Sequence, residues 1–129
     1  RIRQWLRTHQ RLRTNFTVIC RSEAQLHQDL YANDPGKNPE HLHAARQVLL
    51  EGLRLDPENL VLRKELKHVD EVICRSRAQL HQDRYANDPE KNPEHLHAAR
   101  QILLRGLEKD SKNTVLRGEL KQVEKRLWK

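Results

Sequence analysis

An all-α fold, antiparallel helical hairpins stacked as a short α-solenoid of about five helices, follows from three features of the sequence. The first is composition. Of 129 residues, 36% are hydrophobic, 33% charged and only 4% aromatic, too few large rings and too little apolar surface for a sheet-rich sandwich. The second is an internal repeat: residues 18–71 align without gaps on 72–125, an offset of 54, with 40 of 54 pairs identical. The third is period. Apolar residues step by 3 and 4 between breaks marked by Pro, Asn and Asp, the pattern of helices laid edge to edge.

The first element is expected at about 4–33, running from a basic segment into the repeat. It ends at Asn33-Asp34-Pro35-Gly36-Lys37-Asn38-Pro39, a turn whose last residues read as N-cap, N1 and N2 of a new helix at Asn38-Pro39-Glu40. That second helix, 39–55, presents Leu42, Ala45, Leu49 and Leu53. Asp56-Pro57 reads as the cap and N1 of a long third helix, 58–86, about 40 Å at 1.5 Å per residue. Its Leu62, Leu66, Val69, Ile73, Ser76 and Leu80 form a heptad seam. Leu66, Ile73 and Leu80 are expected to be buried there, with Leu42, Leu49 and Leu53 opposite. A copied turn at 88–92 starts the fourth helix, 93–109. The fifth, 112–128, continues through Leu116, Leu120, Val123 and Leu127. Short connections make successive helices antiparallel neighbours, so residues 1–129 are expected to form a single helical-repeat domain.

One stretch resembles a known family. In Ala45-Arg46-Gln47-Val48-Leu49-Leu50-Glu51-Gly52-Leu53-Arg54-Leu55-Asp56-Pro57, the small, bulky, small and Pro positions of a tetratricopeptide (TPR) second helix fall at Ala45, Leu49, Gly52 and Pro57. The second copy has Ala99, Leu103 and Gly106, with Ser111 in place of the Pro. The long helix ending Tyr85-Ala86-Asn87 is similar to the extended last helix of immunophilin-type TPR domains. The unit recurs at 54 residues rather than the family's 34, and the Trp, Gly and Tyr of the family's first helix are not found. The resemblance implies a scaffold that binds proteins or peptides. The family's cationic clamp has no residue-by-residue counterpart here and is not carried over.

Chemistry is sparse. His41 and His43, with copies His95 and His97, are two residues apart and point to different sides of a helix, so neither pair chelates one ion. Cys20 and His27, like Cys74 and His81, sit roughly 10 Å apart along one face. No Gly-rich phosphate loop, nucleophile elbow or HExxH motif occurs. The expectation is a non-enzyme with no metal and no cofactor. Cys20 and Cys74 occupy equivalent positions and read as buried, reduced thiols, which together with the lack of a signal segment or spanning run predicts an intracellular, cytoplasmic protein without membrane contact. Asn15-Phe16-Thr17 spells a glycosylation sequon inside a helix and reads as chance.

Charge is uneven. Residues 1–17 carry +5 through Arg1, Arg3, Arg7, Arg11 and Arg13, the first repeat −3 and the second +3, within a formal total of +7. A basic first segment with Trp5 offers a nucleic-acid contact through counterion release, the alternative to protein binding. Where the copies differ, Leu30, Leu55 and Leu60 become Arg84, Lys109 and Thr114, read as a polar C-terminal cap on a finished, monomeric array. A stack of hairpins leaves one concave surface lined by the long helices. Its in-register polar residues, Arg21 with Arg75, Gln25 with Gln79, Gln28 with Gln82 and Arg63 with Arg117, are the candidate contacts for an extended peptide. The near identity of the copies also predicts either a very recent duplication or an engineered repeat protein copied from one unit, without a natural ligand.

Overall fold

The computed structural model describes residues 2, 4 and 10–128, the side chains of 10, 11 and 13 excepted. Five helices run through residues 10–128: α1 (Gln10–Asn33), α2 (Glu40–Leu55), α3 (Leu60–Asn87), α4 (Glu94–Lys109) and α5 (Thr114–Leu127). No strand occurs among the described residues. The expected start of the first helix, near residue 4, is adjacent to residues 5–9, outside the description. The chain divides into two compact units, one through Asp70 and one from Glu71, a boundary inside α3 and one residue from the sequence repeat boundary.

Local chemistry sets the corners. After α1, the Asp34 carboxylate accepts from the Gly36 N–H at 2.9 Å and the Asn38 N–H at 3.1 Å. Asn38 then caps α2, its side-chain oxygen accepting from the Glu40 N–H at 3.0 Å. Lys37 adopts φ 49°, the left-handed region that disfavours a side chain. Its Nζ reaches back to the Ala32 carbonyl at 2.7 Å, satisfying an end of α1 that has no intrahelical donor, and lies 5.4 Å from the Tyr31 ring centroid. The second copy repeats this bond for bond: Asp88 accepts from the Glu90 and Asn92 N–H groups, Asn92 caps Glu94, and Lys91 at φ 51° donates to Ala86.

The second kind of corner corrects the sequence reading. Asp56 is the C-cap of α2, and the cap of α3 is Asn59, whose side chain accepts from the Leu62 N–H at 3.0 Å. Asn113 does the same for Leu116 at 3.0 Å. An Asp-Pro pair also suits an N-cap and N1, but here Pro57 lies in the turn before the helix starts.

Three helices meet at one point in each unit. In unit 1, a Cβ added to Gly52 of α2 would stand 2.8 Å from Leu62 of α3 and 3.2 Å from the Cβ of Cys20 of α1. In unit 2, one on Gly106 of α4 would stand 2.7 Å from the Cys74 sulfur and 3.0 Å from Leu116 of α5. Around these crossings lie Ala24, Leu42, Ala45, Leu49, Leu62 and Val69 in the first unit, and Ala78, Leu96, Ala99, Leu103, Leu116 and Val123 in the second, all buried. Arg46 of α2 binds Asp70 at 2.8 Å, and Arg100 of α4 binds Glu124 of α5 at 3.0 Å.

The long-helix seam is therefore corrected. Leu42 and Leu49 are buried as expected, but Leu53, Leu66 and Ile73 are half-buried and Leu80 is 50% exposed. The buried positions of α3 are Leu62 and Val69 in its first half and Ala78 in its second, with Cys74 and Tyr85 packed on the second core. The 3–4 stepping breaks between Val69 and Cys74, because each half of α3 answers to a different unit. Of the copy differences, Leu30 and Leu60 are exposed in the first repeat, so their replacement by Arg84 and Thr114 does not mark the loss of a neighbour, whereas half-buried Leu55 becomes exposed Lys109.

Candidate functional site

The eight polar residues expected to face a partner all lie on α1, α3 and α5, and bonding within the fold engages most of them. In unit 1, half-buried Gln28 donates to Glu65 of α3 at 3.3 Å. Gln25 donates along its own helix to Asp29 at 3.0 Å, and Arg63 donates to the Pro57 carbonyl at 2.8 Å, closing the turn. In unit 2, Arg75 pairs with Glu119 of α5 at 3.1 Å, Gln82 accepts from Arg126 at 3.5 Å, and Gln79 donates to Asp83 at 2.9 Å. Arg21 and Arg117 are exposed. Gln28 thus ties α1 to α3, and Arg75 and Gln82 tie α3 to α5. Glu65 and Glu119, the anionic partners of Gln28 and Arg75, are residues the sequence reading missed. Their identity at the 54-residue offset was the available signal.

Histidines are drawn into the turns. His41 Nε2 lies 3.3 Å from Asp34, and His95 Nε2 3.2 Å from Asp88. The backbone N–H groups of Asn38 and Gly36 hold the Asp34 carboxyl below the usual carboxylate range, and those of Glu90 and Asn92 do so for Asp88. Burial, aided by the positive charge of Arg84 and Arg77, pushes His81 down. Among the described residues, no group of three or more His, Cys, Asp or Glu side chains could hold a metal ion. Burial pushes both thiols up, and Cys74 donates to the Ile102 carbonyl at 3.4 Å. A thiol held protonated is a poor nucleophile. Both cysteines are free. Thr17 of the sequon is buried and donates to the Thr14 carbonyl at 2.8 Å.

The described surface includes shallow hollows on both units. One, about 890 Å³, lies along α5, lined by Lys121, Gln122, Glu124, Lys125, Arg126 and Trp128; the Arg100 guanidinium sits 5.5 Å from the Trp128 ring centroid. The other, about 190 Å³, lies beside Phe16 against Glu51, Arg54 and Leu55. Of the basic set proposed for nucleic acid, Arg1, Arg3 and Arg7 lie outside the described residues, as do the side chains of Arg11 and Arg13. Among the described residues, no helix is long and apolar enough to cross a membrane. No protein-family model, curated protein or solved structure matches the chain.

Proposed function

We propose that this chain is a non-enzymatic helical-repeat scaffold that binds a protein or an extended peptide. The observation that carries the reading is the exposed polar register: Arg21, Gln25, Arg63, Arg75, Gln79 and Arg117 are all solvent-facing on helices whose opposite sides are fixed by the cores. Exposed polar positions that recur in the sequence at an offset of 54 residues suit an extended ligand, because its backbone repeats too. The TPR-like character of the hairpins belongs to this proposal. It is supported by Ala45, Leu49 and Gly52, with Ala99 and Leu103, all buried where helices meet.

A second reading is favoured by a separate observation. The 40 identities in 54 pairs and the bond-for-bond copy of the turn suit a protein assembled from one copied unit, with no natural ligand. A screen of acidic and C-terminal peptides at about 0.05 and 0.2 M salt separates the two. The scaffold reading expects saturable binding that weakens in Arg21→Ala and Arg117→Ala, positions whose loss breaks no tie between helices. Absence of binding across the screen favours the copied unit. Tight, steeply salt-sensitive binding to RNA of any sequence moves the assignment to the basic first segment and its alternative, nucleic-acid class.

A further inference from the structure

At one level of each unit the exposed charges are reversed between the copies. Glu23 of α1 and Glu51 of α2 become Arg77 of α3 and Arg105 of α4, and all four side chains are exposed. Each pair flanks the helix crossing at its unit's interior glycine. Glu51 precedes Gly52, where an added Cβ would stand 3.2 Å from the Cβ of Cys20, and Glu23 lies about one turn beyond Cys20. Arg105 and Arg77 hold the same positions about Gly106 and Cys74. The thiols feel these charges: beyond the effect of burial, Glu23 and Glu51 push Cys20 further up, whereas Arg77 opposes the rise at Cys74. One turn along the shorter helix, Arg54 becomes Glu108, also exposed and reversed in the opposite sense. Among the described residues, none of these six side chains forms an ion pair.

We infer that the acidic edge of unit 1 docks on the basic edge of unit 2 in a second copy of the chain. Charge and shape together select this occupant. The two edges are built on matching crossings, so they present the same outline with opposite charge. Laid face to face at that level, they set two carboxylates against two guanidiniums, whether the facing helices run in the same direction or in opposite ones. Unit 1 against unit 1 gathers four carboxylates, and unit 2 against unit 2 gathers four guanidiniums, both repulsive. A polyanion accounts for Arg77 and Arg105. It accounts neither for the acidic pair in unit 1 nor for the change from Arg54 to Glu108. Every copy carries one edge of each sign, so the contact is heterologous, closing as a pair or passing to a third copy. Its charges remain near water, where ion pairs are weak and screened by salt. The association is therefore weak and salt-sensitive.

Analytical ultracentrifugation of the full chain from about 1 to 500 µM, at about 0.02 and 0.5 M salt, tests this. At low salt the expected mass rises with concentration above 15.4 kDa, and at high salt the affinity falls at least about tenfold. Glu23→Arg with Glu51→Arg gives a chain basic on both edges, and Arg77→Glu with Arg105→Glu gives one acidic on both. Each substitution installs the residue that the matching position of the other repeat already carries, so circular dichroism should show the parent's helicity. Either variant alone should stay at one copy, and an equimolar mixture of the two should associate again. A parent chain that stays at one copy at low salt overturns the inference. So do variants that associate as the parent does, a mixture that fails to recover, and association indifferent to salt. A parent chain that stays at one copy yet binds a labelled poly-glutamate peptide, with binding lost in Arg77→Glu with Arg105→Glu, gives the basic edge to another protein and overturns self-docking.

Discussion

At the scale of single residues, the two interior glycines are the least replaceable positions. Gly52 and Gly106 sit where a neighbouring helix leaves no room for a methyl group. The contact that a Cβ would make comes from packed Leu62 and from Cys74, not from the end of a mobile chain. Gly106→Ala should therefore destabilise by about 1–3 kcal/mol despite alanine's better helix propensity, read as a lowered denaturation midpoint. Leu49→Ala and Leu103→Ala, both in fully buried sites, should cost about 2–5 kcal/mol each. Asp34 and Asp88 supply a pH signature. Their carboxyls are held below the ordinary value near 3.9, chiefly by backbone N–H groups. Each contributes stability fully present above that ordinary value and lost as pH falls through the depressed folded value. Asp34→Asn with Asp88→Asn should flatten the acid limb of a stability–pH curve. A limb as steep as that of the parent would assign acid unfolding to other carboxylates.

At the scale of helices, existence was legible from the sequence and facing was not. The Asn38 and Asn92 caps are short-range chemistry, readable from adjacent residues, whereas the left-handed backbone falls on Lys37 and Lys91 and not on Gly36, a placement no local rule gives. The mistaken cap at Asp56 is a case where two adjacent residue pairs both carried helix-start chemistry. The failed seam at Leu66, Ile73 and Leu80 has a different origin. A heptad rule presumes one partner along a helix, and α3 has a different core at each end. Long-range burial decides such a case, and no local pattern reports it. Two of the polar candidates also have a role within the fold that their spacing does not show: Arg75 and Gln28 bond Glu119 and Glu65 across helices. Paired substitutions check the corrected faces. Leu62→Ala should cost about 2–5 kcal/mol, whereas Leu80→Ala, at an exposed position, should stay within about 0.5 kcal/mol. Equal losses in urea titration would restore the seam.

At the scale of the molecule, each unit closes its core with a helix segment that comes last in that unit's own sequence. Leu62 and Val69 do for unit 1 what Leu116 and Val123 do for unit 2, at an offset of 54 residues. A chain lacking residues 72–125, with Glu71 joined to Arg126, retains α1, α2, the Asn59 cap and both buried residues of the closing helix. It should fold cooperatively as three helices, with a smaller urea m-value because less surface is exposed on unfolding. A featureless, non-cooperative transition would show that one unit needs the other.

The dual role of α3 has a consequence for how such a chain changes length. Because the helix that ends one unit also begins the next, the period has no privileged seam. A cut at any residue and its counterpart 54 positions on yields the same joined sequence wherever the two copies agree. Duplication or loss of one period leaves no half-built hairpin, no orphaned cap and no glycine without its crossing partners. Copy number is then a freely adjustable quantity, altered by a single exchange between near-identical stretches.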